Sequence, residues 1–298
     1  MTSLDKLKQA QRIGFLYSGG SARCAFQIGV TETLYAAGIE PTICLGVSAG
    51  SWNAATVAVG NWQRLRAYWR FFCRMPYFDL RNLAHDRSPF IWPKVHARAF
   101  RRYIGAERLS DPGALPLYIA LTRLRDRRSV ILHAQAAADP FKVLLASNYL
   151  PPFYSRPKPI DGEIYGDGGY TNNLPYEQLF DLGCDMVVIM ASKGESEGGM
   201  FRSADDIEHV IPAEYADRCV VIRPRHRMPV SFVERRWSVL GPIADLGALR
   251  AREVLYDERH AATDLRATGR AITYYVGSAR RWMKRRFKPA VVAGSPKA

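Results

Sequence analysis

The stretch TICLGVSAG, residues 42–50, sets the fold class of this chain. An apolar run leads directly into a small-residue turn, and the residues that follow favour a helix. The same order occurs upstream, where the apolar run RIGFLY at 12–17 is followed by SGGS at 18–21 and a helical pattern over 23–37. Strand, turn and helix repeated in this order are typical of a parallel sheet covered by helices. We therefore predict an α/β fold with a mostly parallel central sheet.

The rest of the chain continues this alternation, with one exception. We predict further strands at 117–124, 130–133, 186–190 and 220–222, and helices at 140–148, 176–182 and 248–267. The exception is 61–112, which is rich in aromatic residues and arginine and is interrupted by Pro76, Pro89 and Pro93. Proline breaks helices, so this region is predicted to be helical in pieces and to form a cap or lipid-facing insertion.

The composition indicates a globular protein that favours anionic partners. Of the 298 residues, 48% are hydrophobic, and 42 Lys and Arg against 28 Asp and Glu leave a net charge of +14. These values exclude collagen-like and disordered chains. No apolar run approaches the length of a membrane-spanning helix and the N-terminus is polar, so we expect a cytoplasmic protein, peripheral at the inner face of the membrane. No recognised motif points to nucleic acid.

The clustered positive charge suggests a membrane partner, and the cysteine spacing argues against a metal site. The segment Arg280–Lys288 mixes basic residues with Trp282, Met283 and Phe287, and such a segment can lie on an anionic membrane. The five cysteines include no CxxC pair. An odd count without that spacing argues against a zinc site or a disulfide framework, and we predict neither a metal nor a cofactor.

The turn at residues 46–50 reads GVSAG, a GxSxG sequence between a strand and a helix. In that context the serine projects its hydroxyl above the sheet edge, next to a helix N-terminus that favours negative charge. Ser48 is therefore the candidate nucleophile. A serine needs a base, and none of the six histidines lies in an obvious motif. Asp167, in the sequence GDGG at 166–169, is the better candidate because glycines let a carboxylate approach another loop closely.

The first strand–helix junction, SGGSAR at residues 18–23, is the third candidate element. A glycine-rich turn that enters a helix aims backbone N–H groups at an anion. One interpretation is a phosphate loop, although the chain has neither GxxxxGK nor a clean GxGxxG. The other is an oxyanion hole for an acyl-transfer intermediate, which the nearby GxSxG favours.

The order of these motifs, with the stretches ASNYLP at 146–151 and YTNNLP at 170–175, resembles the patatin-like phospholipase family over about residues 12–192. The resemblance implies a three-layer α/β/α sandwich, with a catalytic domain over 12–240 between an N-terminal extension at 1–11 and a helical basic region at 241–298. It also implies hydrolysis of lipid esters, with no metal and no cofactor. Peripheral binding to an anionic membrane is expected as well.

The resemblance also implies roles for individual residues. Ser48 becomes the nucleophile and Asp167 its base, without a histidine. The remaining implied positions are the oxyanion hole at Gly19, Gly20, Ser21 and Arg23, and the supporting glycines Gly46, Gly50, Gly168 and Gly169. Two positions depart from the family pattern, because Ser21 and Cys24 stand where glycines are usual. These departures affect substrate fit and rate more than reaction class.

Two other functions remain as alternatives. One is a general esterase, thioesterase or acyltransferase that acts on soluble acyl groups. The other is a weakly catalytic protein that binds membranes through its positive charge. The aromatic residues of the cap are candidates for guiding acyl chains: Trp62, Tyr68, Trp69, Phe71, Phe72, Tyr77, Phe78, Phe90 and Trp92.

Overall fold

The computed structural model describes residues 1–86, 88–151, 153–154, 157–194 and 211–257. Its sheet consists of β1 (Ile13–Tyr17), β2 (Ile43–Val47), β3 (Leu117–Arg123), β4 (Arg128–His133), β5 (Tyr165–Asp167), β6 (Met186–Met190) and β7 (Cys219–Ile222). The strand order is β4-β3-β2-β1-β6-β7. Strands β3, β2, β1, β6 and β7 run parallel, while β4 and β5 pair antiparallel to β3. The predicted α/β class with a mostly parallel sheet is confirmed.

Helices flank this sheet. They are α1 (Ser3–Gln9), α2 (Phe26–Ala36), α3 (Gly50–Ala58), α4 (Leu65–Arg74), α5 (Leu83–Asp86), α6 (Trp92–Tyr103), α7 (Ala106–Leu109), α8 (Pro140–Ala146), α9 (Glu177–Asp181), α10 (Ala213–Ala216) and α11 (Trp237–Tyr256). Strand β1 serves both faces. Its Tyr17 hydroxyl lies 3.1 Å from the Thr31 hydroxyl of α2, while Leu16 packs in a cluster with Leu179 of α9. Side chains alternate along a strand, so these two contacts place helices on opposite faces and produce the three layers.

The last described helix differs from the prediction. We predicted that the chain is helical beyond residue 240, with its best helix over 248–267, whereas α11 covers Trp237–Tyr256 and ends at Asp257, which has a φ of 51°. Gly241, Pro242 and Gly247 look like helix breakers in the sequence, yet α11 crosses α2 where a Cβ on Gly247 would overlap the Phe26 carbonyl oxygen. Gly247 therefore allows α11 to pack closely against α2 and does not break the helix. Residues 258–267 lie outside the described residues.

The region 61–112 is helical in pieces, as predicted, and contains α4 to α7. Helix α11 runs across residue 240, and the three-part division of the chain stays a prediction. The basic segment at 280–288 lies outside the described residues. None of the helices described is long and apolar enough to cross a membrane.

Candidate active site

A sharp turn between β2 and α3 carries Ser48. Strand β2 ends at Val47, α3 begins at Gly50, and Ser48 adopts a φ of 52°, in the left-handed region that side chains disfavour. The two glycines allow this geometry. A Cβ on Gly46 would overlap the backbone of Ser51, and one on Gly50 would overlap carbonyl oxygens of the β1 end. The GxSxG spacing thus follows from backbone crowding around a strained serine.

Hydrogen bonds with two serine hydroxyls, one in α3 and one at the end of α8, hold this turn. The Ser48 N–H donates to the Ser147 hydroxyl over 2.8 Å, and that hydroxyl donates to the Ala120 carbonyl over 2.9 Å. The Ser51 hydroxyl donates to the Ser48 carbonyl over 2.6 Å. Ser147 was quoted in the sequence only as part of a family-like stretch, without a role. The structure shows what the sequence did not: Ser147 connects the turn at Ser48 to strand β3 by hydrogen bonds.

Asp167 lies at the end of β5, beside Ser48. The Ser48 hydroxyl donates to Asp167 Oδ2 over 2.6 Å, and the Gly169 N–H donates to Oδ1 over 2.9 Å. Asp167 is 3% exposed, and burial raises the pKa of its carboxyl to about 7, against the lowering effect of these two hydrogen bonds. The structure therefore brings together the hydroxyl and the carboxyl that the sequence singled out.

The glycine-rich loop at 18–21 lies next to this pair, but its three N–H groups are not equivalent. The Gly19 N–H donates to Asn173 Oδ1 over 2.8 Å, whereas the N–H groups of Gly20 and Ser21 hydrogen-bond no other part of the chain that the structure describes. The Ser192 hydroxyl donates to the Gly19 carbonyl over 2.5 Å and fixes the loop from β6. Two N–H groups, rather than three, are left for a ligand.

The two departures from the family pattern have distinct local effects. Ser21 adopts a φ of 52°, a conformation usual for glycine, and its hydroxyl donates to the Phe232 carbonyl over 2.6 Å. Cys24 is fully buried, its thiol lies 3.4 Å from the Ser18 carbonyl oxygen, and burial raises its pKa. The thiol is therefore held protonated inside the core. Arg23 lines a small polar pocket of about 70 Å³ that also includes Lys193.

A second, aromatic cavity of about 80 Å³ opens at Ser48. The residues of the predicted cap that line it are Tyr68, Trp69, Phe72, Trp92 and His96, whereas Trp62, Phe71, Tyr77, Phe78 and Phe90 do not. Trp52, in the first turn of α3, contributes to the wall. Ser48 therefore sits where an aromatic cavity meets a polar pocket.

A segment to which the sequence assigned no part in the site also lines the cavity. This strap, residues 228–236, contributes Phe232, Val233 and Glu234 to the lining. Its Arg235 guanidinium lies 4.3 Å from the centre of the Tyr77 ring and 5.4 Å from that of Trp92. Arg235 also donates to the carbonyls of Phe72 and Met75 at the end of α4. Cation–π contacts and these bonds tie the strap to the cap.

The described histidines do not hydrogen-bond Ser48. His96 is 5% exposed and stacks on Trp52 with ring centres 4.3 Å apart, and burial lowers its pKa to about 3. His133 is exposed and stacks on Tyr118 on the far side of β3. Across the described ranges, no three His, Cys, Asp or Glu side chains are grouped to hold a metal ion. Asp167 is thus the basic group in contact with the serine.

Comparisons with known proteins match the part of the chain that contains Ser48 and Asp167. The family model described as patatin-like phospholipase matches residues 16–180. The neuropathy target esterase sws of Drosophila melanogaster is 23% identical over 213 residues, which cover 65% of this chain and 14% of that protein. The human patatin-like phospholipase domain-containing protein 6 is 23% identical over 213 residues, covering 68% of this chain and 15% of that protein. The match therefore spans about a seventh of the length of these relatives.

A solved structure shares the fold. VipD from Legionella pneumophila superposes with a TM-score of 0.50 at 13% identity, covering 83% of this chain and 67% of that one. At this identity the likeness concerns the fold alone.

Proposed function

This chain belongs to the patatin-like phospholipase family, and we propose that it is a serine lipid acyl hydrolase that cleaves carboxylic esters of phospholipids or related lipids. The observation that carries the proposal is the 2.6 Å hydrogen bond from the Ser48 hydroxyl to Asp167 at the mouth of an aromatic cavity. A strained serine, a buried carboxylate and an apolar pocket are the parts that ester cleavage in a lipid requires.

The first half of the reaction forms an acyl-enzyme. Asp167 accepts the Ser48 proton as Oγ attacks the ester carbonyl carbon, whose oxygen becomes negatively charged. The N–H groups of Gly20 and Ser21, which have no other partner among the described residues, stabilise that oxygen. The tetrahedral intermediate collapses, the C–O bond to the alcohol breaks, and the leaving alcohol takes the proton from Asp167. Because Gly19 already donates to Asn173, it positions the loop instead of binding the oxyanion.

The second half releases the acid. Water takes the place of the alcohol, Asp167 accepts its proton, and the resulting hydroxide attacks the acyl carbonyl. The same N–H groups hold the second tetrahedral intermediate. Ser48 leaves with the proton from Asp167, which restores the starting state. A carboxyl with a pKa of about 7 suits this exchange, because proton transfer in both directions is efficient when the pKa lies near the working pH.

The surface around the cavity supports binding to a lipid bilayer. Phe78, Leu80 and Leu83 are 50%, 63% and 47% exposed, and all belong to the cap. Aromatic contacts, one edge-on and one tilted, lead from Phe78 through Phe90 to Phe153, which lines the cavity. The segment 61–112 carries eleven Lys and Arg against four Asp and Glu. Apolar tips among cations fit an anionic bilayer surface, so we include peripheral membrane docking in the proposal.

The proposal is tested with purified protein on p-nitrophenyl butyrate and on phosphatidylglycerol vesicles. Ser48→Ala and Asp167→Asn are each expected to lower kcat/KM by about 1,000-fold or more, because they act on the reacting group and its base. Ser110→Ala and Asp181→Asn, both on the exposed surface, are the matched controls and should keep full activity. Circular dichroism checks that each variant is folded.

Three results separate the alternatives. Labelling of Ser48 by a fluorophosphonate together with activity on soluble esters only favours a general esterase, and acyl transfer to added alcohol in preference to water favours an acyltransferase. No labelling combined with salt-sensitive vesicle binding favours a membrane-binding protein without turnover. Undiminished hydrolysis in Ser48→Ala would overturn the proposed mechanism.

A further inference from the structure

A groove at the junction of the cap, the strap and α11 is lined by three arginines. This arginine groove has a volume of about 340 Å³, and its lining residues are Arg70, Cys73 and Arg74 of α4, Arg235 of the strap and Trp237 of α11. It shares no residue with the aromatic cavity or with the polar pocket at Ser48. Among the residues that the structure describes, no carboxylate lines it. The groove is therefore a positively charged site outside the ester site.

Another arginine of α4 provides the contrast. Arg66, Arg70 and Arg74 are spaced four residues apart, so they follow one side of the helix. Arg66 donates to both carboxylate oxygens of Glu32 over 2.7 and 2.8 Å and to Asp245 over 3.0 Å. Within the described ranges, neither Arg70 nor Arg74 forms an ion pair. The fold thus supplies carboxylates to the first arginine and none to the two that line the groove.

The acidic residue of the strap does not balance these charges. Glu234 accepts a hydrogen bond from the Arg236 side chain over 2.9 Å and further bonds from the N–H groups of Arg235 and Arg236, both over 2.9 Å. Its carboxylate is therefore already engaged beside the groove. Burial lowers the pKa of Arg235, as expected for a guanidinium without a carboxylate partner.

The two arginines of α4 are placed where a ligand can reach them. Arg70 and Arg74 are both exposed, and the Arg70 guanidinium lies 5.0 Å from the centre of the Trp237 ring, a cation–π contact that restrains it. Arg235 is less exposed, and its Nη2 already donates to two backbone carbonyls at the end of α4. Arg70 and Arg74 can therefore donate to a ligand, while Arg235 adds positive charge.

We propose that the arginine groove binds a phosphate group, held by Arg70 and Arg74 and attracted by the charge of Arg235. The planar fork of a guanidinium matches two oxygens of a phosphate, and the remaining oxygens can accept from a second arginine. The phosphate can belong to a lipid headgroup or to a soluble compound. Because α4 belongs to the cap and Arg235 to the strap, the bound anion attracts both segments and strengthens their connection beside the cavity.

Thermal unfolding with inorganic phosphate tests the site without any substrate. The native protein is expected to melt about 2 °C or more higher in sodium phosphate than in sodium chloride of equal ionic strength, because a ligand that binds only the folded state stabilises it. Arg70→Gln/Arg74→Gln should lose this difference, whatever its melting temperature in chloride. Arg98→Gln/Arg101→Gln removes the same charge from two exposed arginines of α6 and should keep it.

Vesicle binding distinguishes the two sources of phosphate. All proteins carry Ser48→Ala, which spares the lipid, and the vesicles are phosphatidylcholine with phosphatidic acid. Binding about 10-fold weaker for the Arg70→Gln/Arg74→Gln pair than for the Arg98→Gln/Arg101→Gln pair assigns the groove to a lipid headgroup. A phosphate-dependent melting difference without this loss of vesicle binding assigns it to a soluble phosphate compound. Equal behaviour of the two arginine pairs in both experiments would overturn the inference, since any basic surface would then act alike.

Discussion

The floor of the site and its cap are built in opposite ways. On the floor, Ser48 is held by steric crowding between neighbouring backbones, so that Gly46 and Gly50 have no room for a side chain. In the cap, residues 61–112 line the cavity with large rings: Phe72 stacks on Trp92 and contacts His96 at a tilt. The strap is joined to these rings through Arg235. The position of Ser48 thus requires glycines, which have no side chain, whereas the cavity wall is built from large aromatic side chains.

This difference has a consequence for substitution. A floor residue has one acceptable identity, because its environment is backbone, which cannot repack. A cap ring has neighbours that are side chains, and these can adjust at a smaller cost. Substitutions of the floor glycines should therefore lower activity and stability together, while changes in the cap should alter which ester is preferred.

The largest effect is expected for Gly50→Ala. The new Cβ would overlap the carbonyl oxygens of Tyr17 and Ser18, which belong to the end of β1 and cannot move without breaking the sheet. We expect a loss of about 3 kcal/mol or more in the free energy of unfolding and a matching loss of esterase activity. Urea denaturation measures the first. Gly113→Ala is the control, since its nearest neighbour is the flexible Asp111 side chain; equal effects at both glycines would contradict the steric account.

The second comparison concerns the dependence of stability on pH. A rise in pH is expected to lower the contribution of Asp167 in the floor and to raise that of His96 in the cap. The pKa of Asp167 is raised from 3.8 to about 7 in the fold, so its contribution to stability is present at low pH and is lost as pH rises through 7. The pKa of His96 is lowered from 6.5 to about 3, so its contribution is present above pH 6.5 and is lost as pH falls towards 3. The melting temperature between pH 4 and pH 9 measures both.

Two variants show which residue causes each part of the pH dependence of stability. Asp167→Asn should gain melting temperature over the native protein as pH rises through 7, and His96→Phe should gain it as pH falls below 6.5. The hydrolysis rate of the native protein should fall about tenfold per pH unit below pH 7, because only ionised Asp167 accepts the serine proton. A rate that is flat from pH 5 to pH 8 would argue against Asp167 as the base.

The smallest effect is expected for the connection between cap and strap. Arg235→Ala removes the guanidinium from between the aromatic rings and leaves the Phe72 carbonyl without its donor. We expect a loss of about 1–3 kcal/mol in the free energy of unfolding, with faster proteolysis in the cap and a change in acyl preference. Arg81→Ala, whose side chain is 90% exposed, should change neither quantity measurably. Identical behaviour of the two variants would mean that the strap is held by other contacts.

The same difference explains what the sequence could reveal. The strand–turn–helix units were predictable because short motifs encode them, such as the glycines two residues to either side of Ser48. The pairing of Ser48 with Asp167 was implied by the family resemblance that the order of the motifs carries. Strand β6 was predicted with its observed bounds, Met186–Met190, because a fully apolar run of that length has few other interpretations. The catalytic roles of these residues stay proposals.

What the sequence did not reveal depends on contacts between distant residues. The Gly19 N–H donates to Asn173, which is 154 residues away in sequence. The strap, residues 228–236, is also distant in sequence from Ser48, yet both line the cavity. His96 looked like any surface or core histidine, because no local pattern marks a ring that stacks in a cavity wall. Helix α11 was placed too late, since glycines that allow close packing look the same in sequence as glycines that end a helix.

The hydroxyl of Ser21 joins the glycine-rich loop to the strap. It donates to the Phe232 carbonyl, so the loop offering N–H groups to the oxyanion is fastened to the residue that stands at the entrance of both pockets. A glycine there would leave the entrance and the loop to move independently. In this chain, displacement of Phe232 is expected to shift the glycine-rich loop with it, because the hydrogen bond connects the two segments.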